Sequence, residues 1–334
     1  MSRKMKRRDF ITLLGGAAAV GPLAARAQQR ERMRRIGVLM AYAEGDREGQ
    51  AFIAAFREVL KKFGWADGRN IRIDMRWAAF DEQLMQRVAK ELVVLQPDLI
   101  LSSSTPTTAV LLQQTATIPI IFANVADPVG SGFVASLPRP GGNVTGFTNL
   151  EGLVAGKWLE LLKEIAPRVN RVAFLFNPVT ATYSEIYLNP FKAAARSFAV
   201  EPIAAAVRDT SELESVVASL ARESNGGLIV MPDSFMAVHA AEVNVVADRN
   251  RLPLVSPYRF YTEHGGLLSY GNDLTDNYLR AATYVDRILK GEKPSELPVQ
   301  APVKFELVIN MKTAKALGLE VPAQLQQLAN EVIE

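Results

Sequence analysis

Apolar residues in this chain fall into short runs that alternate with longer stretches of helical spacing. Ile36-Gly37-Val38-Leu39-Met40 is a continuous run after two arginines, the pattern of a strand buried on both faces. Gln50 to Phe63 then sets Phe52, Ile53, Phe56, Val59 and Leu60 on one helical face and stops at Gly64. Ile71 to Trp77 alternates as a strand, Asp81 to Leu95 reads as a helix and Asp98 to Leu101 as a strand. Thr107 to Thr115 reads as a helix and Ile118 to Ala123 as a strand. Strands separated by helices of this length predict a parallel sheet with helices on both faces.

The pattern restarts after Pro138-Arg139-Pro140-Gly141-Gly142-Asn143, the densest cluster of breakers in the chain. Helices are expected at Val154–Ile165, Phe191–Phe198, Ser211–Ser224 and His239–Asn250. Strands are expected at Arg171–Phe176, Glu201–Ala206, Gly227–Met231 and Leu252–Val255. That is a second α/β unit of similar size. The tail offers a strand at Gly266–Tyr270, a helix at Asn277–Leu289 and a strand at Lys304–Ile309. Short helices around Lys312–Leu317 and Gln324–Val332 finish it. These pieces are too few to bury a core of their own, so the expected architecture returns them to the two units. Residues 35–147 with 266–298 make one lobe, and 148–265 with 299–334 the other. Repeated crossings make a hinge rather than a loose linker.

The N-terminus reads as a targeting segment. A basic start, an apolar run from Phe10 to Val20 and the small-x-small Ala25-Arg26-Ala27 give a secretory signal peptide over residues 1–27. Arg7-Arg8-Asp9-Phe10-Ile11 has the layout of a twin-arginine export signal. The run is shorter than the roughly 20 residues that a membrane span needs. Residues 1–27 hold six Lys/Arg and one acid, and without them 32 basic and 34 acidic residues remain, a formal charge of −2. A chain so nearly neutral carries no electrostatic footprint for nucleic acid. Cysteine is absent from all 334 residues, which removes disulfides, thiolate chemistry and a lipid-attachment cysteine.

In open parallel sheets, ligands bind beyond the carboxyl ends of the strands. Ser102-Ser103-Ser104-Thr105-Pro106-Thr107 ends one strand and opens a helix. Its hydroxyls and helix-start N–H groups suit a ligand carboxylate, and they also suit plain capping. Asn124 and Asp127 follow the next strand. Two roles fit Asp127, pairing with a ligand ammonium or capping the turn at Pro128. Asn177, with Tyr183 and Ser184 behind it, and Asp233 with Ser234 hold the matching places in the second unit. Tyr42, Tyr258 and Tyr270 also stand at strand ends, where an aromatic ring stacks on a ligand or only packs the wall. Catalytic groups are scarce. The two histidines, His239 and His264, have no metal-ligand spacing, and no Gly-x-Ser-x-Gly elbow occurs. No catalytic residue, metal or cofactor is called for.

Several segments together carry a family resemblance. They are Asp127-Pro128-Val129-Gly130-Ser131-Gly132-Phe133, Pro140-Gly141-Gly142-Asn143-Val144-Thr145-Gly146, Gly265 to Gly271, Tyr284 to Gly291, Leu297-Pro298-Val299, Asn310 to Leu319 and Glu331 to Glu334. In this order the chain resembles ABC-transporter substrate-binding proteins, among them tryptophan- and tyrosine-type amino acid receptors. The resemblance implies a type I periplasmic-binding-protein fold, α/β with two open parallel-sheet lobes. It also implies a periplasmic monomer that closes on a small polar ligand and delivers it to a membrane permease of an ABC importer. In such receptors the segment matching Thr105-Pro106 lines the cleft, and a polar ligand group stands near Asp233. Tyr42, Ser103, Ser104, Thr105, Thr107, Asn124, Asp127, Asn177, Ser184, Asp233 and Tyr258 are therefore the expected ligand contacts. Two other readings fit the same features: a sensor-input protein of this fold and a secreted hydrolase.

Overall fold

A computed structural model describes residues 33–334, so the expected signal peptide lies outside the described residues. The first sheet is wholly parallel. Its strands are β1 (Arg34–Met40), β2 (Ile71–Trp77), β3 (Leu99–Ser102), β4 (Ile120–Val125) and β5 (Val144–Thr148), in the spatial order β2-β1-β3-β4-β5. Three helices connect them: α1 (Arg47–Lys62), α2 (Glu82–Val94) and α3 (Thr105–Gln114). Aspartates start the first two, Asp46 accepting from the Gly49 N–H and Asp81 from the Leu84 N–H, which satisfies orphan donors at each helix end. Along β1, Ile36, Val38 and Met40 pack on one face, against α1, while Leu39 packs on the other with α2. This two-sided burial explains why β1 is apolar at nearly every position.

The second sheet is built after α4 (Val154–Ile165). It contains β6 (Arg171–Phe176), β7 (Glu201–Ala206), β8 (Gly226–Val230), β9 (Leu254–Ser256), β10 (Leu268–Asn272), β11 (Phe305–Asn310) and β12 (Glu331–Ile333). Their order is β12-β11-β10-β9-β8-β6-β7, and only β10 and β11 pair antiparallel. Helices α5 (Glu185–Ser197), α6 (Thr210–Ala221), the one-turn α7 (Ser234–Val238), α8 (Ala240–Arg249) and the one-turn α9 (Arg259–Glu263) complete this unit before the tail. On β6, Val172, Phe174 and Phe176 face α4 and α5, whereas Ala173 and Leu175 face the opposite layer.

The tail divides between the sheets, and here three expectations are corrected. Strand β10 pairs with β9 and β11 in the second sheet, so the chain re-enters the first lobe at Leu274 and not at residue 266. The helix α10 (Leu274–Leu289) does pack on the first unit, against α1 and β4. Val299 and Gln300 also stay there: the Val299 N–H donates to Leu137 O and the Gln300 N–H to Gly146 O. The second lobe therefore resumes after residue 300, a little later than 299. After α11 (Met311–Leu317), the final expected helix is only α12 (Ala323–Leu328), and Glu331–Ile333 forms β12. The reason is Asn330: its side chain accepts from the Leu307 N–H and its own N–H donates to Leu307 O, which turns the chain into register beside β11. Strand β5 was not among the expected strands, its five residues following directly on the breaker cluster.

Candidate ligand-binding cleft

The carboxyl ends of the two sheets face each other across a cleft of about 460 Å³ of atom-free space. The first wall holds Tyr42 beyond β1, Phe80 beyond β2, Ser103 to Pro106 beyond β3, and Asn124 with Ala126 on β4 and its end. The second wall holds Tyr183, Pro232 to Ser234, Ala237 and Tyr258. Asn149 and Leu274 close the hinge side, on two of the chain's crossings between lobes.

Most polar atoms of the first wall are already engaged. Ser103 Oγ accepts from the Ala41 N–H at 2.8 Å and keeps its own proton to donate. Ser104 and Thr107 form a capping box at the start of α3, with Pro106 in its first turn. Thr105 Oγ1 accepts from the Ala126 N–H at 3.0 Å, tying β3 to the end of β4. These bonds consume the Ser104 and Thr107 N–H groups, and Pro106 has none. That leaves the Thr105 N–H and the Thr105 hydroxyl proton as donors toward the cleft, while the Ser103 hydroxyl also lies within hydrogen-bond reach of the buried Tyr278 phenol. Thr107 is fully buried, bonded to Ser102 at 2.8 Å, and stands behind the wall. Asn124 Oδ1 accepts from Asn277 on α10 at 2.7 Å, which fixes the amide at the cleft wall, its other half within reach of the Tyr278 phenol.

On the second wall Asp233 is 3% exposed and caps α7. Its Oδ1 accepts from the Met236 N–H at 2.9 Å and the Thr180 hydroxyl at 3.1 Å; its Oδ2 accepts from the Asn177 N–H at 3.1 Å. Burial pushes this carboxyl up to about 6, against the lowering pull of those donors. The Phe235 N–H also points at this carboxylate, which borders the cleft. Asn177 does not line the cleft: its Oδ1 accepts from the Val179 and Thr180 N–H groups and its NH₂ donates to Arg208 O, so it builds the loop that carries Thr180. Ser184 opens α5 with backbone contacts only, and its neighbour Tyr183 takes the cleft position, its hydroxyl donating to Pro232 O at 2.9 Å. Asp127 sits at φ +42 and accepts from the Gly130 N–H at 2.8 Å; it is a turn cap outside the cleft lining. Tyr270 is inside β10, stacked on Phe305, and not at the cleft.

Tyr42 and Tyr258 do reach the cleft. Burial raises both phenols above their ordinary range, so both stay neutral donors. Tyr42 packs edge-on against Phe80, a cleft residue that the strand-end rule missed, held with Ala79 in a positive-φ turn. Asn149 was also missed. It follows β5 and donates from its side chain to the Tyr258 hydroxyl at 2.8 Å, joining the lobes. A second, wider cavity of about 1090 Å³ shares Phe80, Thr105, Pro106 and Ser234 with the cleft and opens toward Met85, Val110, Phe133 and Val179. Among the described residues no group of three or more His, Asp or Glu is placed to hold a metal, and no helix is long and apolar enough to cross a membrane.

With this geometry in place, similarity to known proteins gives the cleft a context. The family described as ABC transporter substrate binding protein matches residues 41–333. A tyrosine-binding protein of Clostridioides difficile is 29% identical over 292 residues, 87% of this chain and 82% of that one. The crystal structure of a Streptococcus pneumonia domain in complex with L-Trp superposes with a TM-score of 0.83 at 27% identity, covering 90% of this chain and 100% of that one. The ligand-free, open structure of a Clostridium difficile substrate-binding protein with adhesive properties gives 0.68 at 26% identity, covering 90% and 99%. The two-lobed architecture is that of type I periplasmic binding proteins, and the matching family is described as substrate-binding. The chain belongs to the ABC transporter substrate-binding protein family.

Proposed function

We propose that this protein is the periplasmic solute receptor of an ABC importer and that it closes its two lobes on an amino acid or a related small carboxylate. The observation that carries this reading is the pairing of two unlike walls. Ser103, Thr105 and the start of α3 offer neutral donors for a carboxylate, and Asp233 offers a carboxylate for an ammonium. The wider cavity beyond Phe80 and Pro106 gives an apolar side chain somewhere to go. Among the described residues no lysine or arginine lines the cleft, which disfavours a phosphorylated ligand. Closure is supported by the superpositions: at nearly equal identity and coverage, the described arrangement fits the L-Trp complex better than the ligand-free open relative. The closed form would then be what a permease recognises.

The test is titration calorimetry of purified protein, stripped of bound ligand, against the common amino acids, with L-Trp and L-Tyr first. Saturable binding that is lost in Thr105→Ala together with Ser103→Ala supports the reading. Absence of binding to every amino acid, or full affinity in that double variant, overturns it.

A further inference from the structure

Asn277 is wholly buried on α10, next to the equally buried Tyr278. Its Nδ2 donates twice, to Thr148 O at 3.0 Å and to Asn124 Oδ1 at 2.7 Å. Its own Oδ1 is buried and has no hydrogen-bond partner among the described residues. A buried acceptor left without a donor is costly and calls for a reason. Turning the amide over would recover nothing, because its oxygen would then face two other oxygens. What this residue supplies is one nitrogen that donates in two directions.

One of the two acceptors cannot be rearranged. Thr148 ends β5, where the chain first leaves the first lobe. It pairs with Val125 of β4, and its N–H donates to Gln300 O at 2.9 Å. A backbone carbonyl held there can only accept, so the Asn277 nitrogen has to face it. The second N–H of Asn277 then points at Asn124, which has to answer with its Oδ1. The NH₂ of Asn124 is thereby turned the other way, within hydrogen-bond reach of the Tyr278 phenol. That phenol is fixed in turn, its ring stacked on Phe52 at 4.9 Å and 7°. It engages one N–H of Asn124 and leaves the second. Asn124 is the one residue of β4 that is not buried, and it lines the cleft.

We propose that Asn277 is a positioning residue for the cleft. Without touching the ligand, it makes Asn124 present a donor, so that this part of the wall selects a carboxylate oxygen over an amide NH₂. The selection rests on the cleft being the amino acid site proposed above; the orientation of Asn124 does not. The polarity of the wall is thus set from the joint between the lobes, through Thr148 O.

Asn277→Asp is nearly isosteric and reverses the instruction. Protonated, its hydroxyl meets Thr148 O and its other oxygen faces Asn124; ionised, both oxygens only accept. In either state Asn124 has to turn its NH₂ toward residue 277. Nuclear Overhauser spectra of the ligand-free protein read this directly. The Asn124 NH₂ protons, identified by their loss in Asn124→Ala, should show contacts to the Tyr278 ring in the wild type and lose them in Asn277→Asp. Should the aspartate variant not fold, Asn277→Ser, whose single hydroxyl proton cannot meet both acceptors, is read in the same way. Calorimetry with L-Trp and with L-tryptophanamide then reads the consequence. The wild-type preference for L-Trp should fall about tenfold or more in the variant, as loss of a hydrogen bond to a charged group implies. Absence of the Tyr278 contacts in the wild type, their persistence in the variant, or an equal loss of affinity for both probes overturns the proposal. If neither probe binds the wild type, the amino acid reading fails, and the Asn124 contacts still decide the role of Asn277.

Discussion

Asp233→Ala separates the structural work of the cleft from ligand binding. The substitution strips the acceptor from two buried N–H groups and from the Thr180 hydroxyl. Losing the helix cap costs about 1 kcal/mol, and each further buried donor left unmatched costs about 1–3 kcal/mol. Against this, alanine relieves the burial of a charge. Moving the carboxyl from 3.8 to about 6 corresponds to about 3 kcal/mol. At pH 7 the terms oppose, leaving a net loss of up to about 4 kcal/mol on the same figures. The pH dependence is more decisive. The folded carboxyl titrates above its unfolded value, so the folded protein retains the proton between about pH 4 and 6. The stability this group contributes is fully present below the unfolded value and is lost as pH rises through about 6. Alanine does not titrate, so the wild-type advantage should be about 2 kcal/mol wider at pH 4 than at pH 7. Urea unfolding at stepped pH, followed by the fluorescence of Trp158 in the second-lobe core, measures that gap. A gap that widens toward pH 7 instead would show that the three donors outweigh burial and hold the carboxylate charged, refuting the reasoning.

Four other perturbations follow from particular contacts. Tyr258→Phe removes the acceptor of the Asn149 amide, a side chain 6% exposed, and should lower stability by about 1–3 kcal/mol in calorimetric unfolding. Thr105→Val should weaken ligand binding about tenfold and strand the Ala126 N–H, whereas Thr105→Ser should restore both, as read by titration calorimetry and denaturation. Gly146 lies at φ +153, and a Cβ there would stand 2.1 Å from Phe122 O, so Gly146→Ala should cost at least about 2 kcal/mol or prevent soluble expression. Replacing Arg7 and Arg8 with Lys should deplete the periplasmic fraction of expressing cells; undiminished periplasmic protein would exclude the twin-arginine route.

The alternation of strands and helices was legible because the core is layered on both faces of each sheet, and that layering writes itself into the sequence as apolar runs. The same feature hid the lobe of β10. A strand buried on both faces looks alike in either sheet, and only its pairing with β9 and β11 assigns it. β12 was hidden differently: three residues carry no period, and the Asn330 bonds that set its register join positions 23 residues apart. At the cleft, the strand-end rule found Tyr42, Ser103 to Thr105, Asn124, Asp233 and Tyr258, because topology alone puts them there. It could not tell a ligand contact from a cap. Asn177, Asp127 and Thr107 have the right residue types at the right places and spend them on the backbone around them, while Ser184 only opens α5 outside the cleft lining. Phe80 and Asn149 gave weaker signals. One is an aromatic in a turn, and the other is a lone amide after a five-residue strand.

The segments that carry the family resemblance occupy the joints of the molecule rather than its ligand wall. Thr145 of the Pro140–Gly146 segment donates to Leu297 O at 2.6 Å, and the Gln300 N–H donates to Gly146 O. Tyr284 donates to Pro298 O at 2.7 Å, joining two further segments. Gly271 lies where a Cβ would stand 1.9 Å from Pro257 O, so the chain can leave β10 only as glycine at that point. The Asp127–Phe133 segment is a turn closed on its own aspartate. Such positions answer to the backbone geometry of the joints and not to the ligand. The polar groups that border the cleft are few: the Ser103 and Thr105 hydroxyls, the Thr105 N–H, the Asn124 amide, the Asp233 carboxylate and the tyrosines. On the proposed reading, the identity of the cargo rests on a handful of side chains between the motifs. On the proposed reading, a changed ligand is met first at Phe80, Asn124, Tyr183 and Ser234, which line the cleft, and not at the joints, which do not.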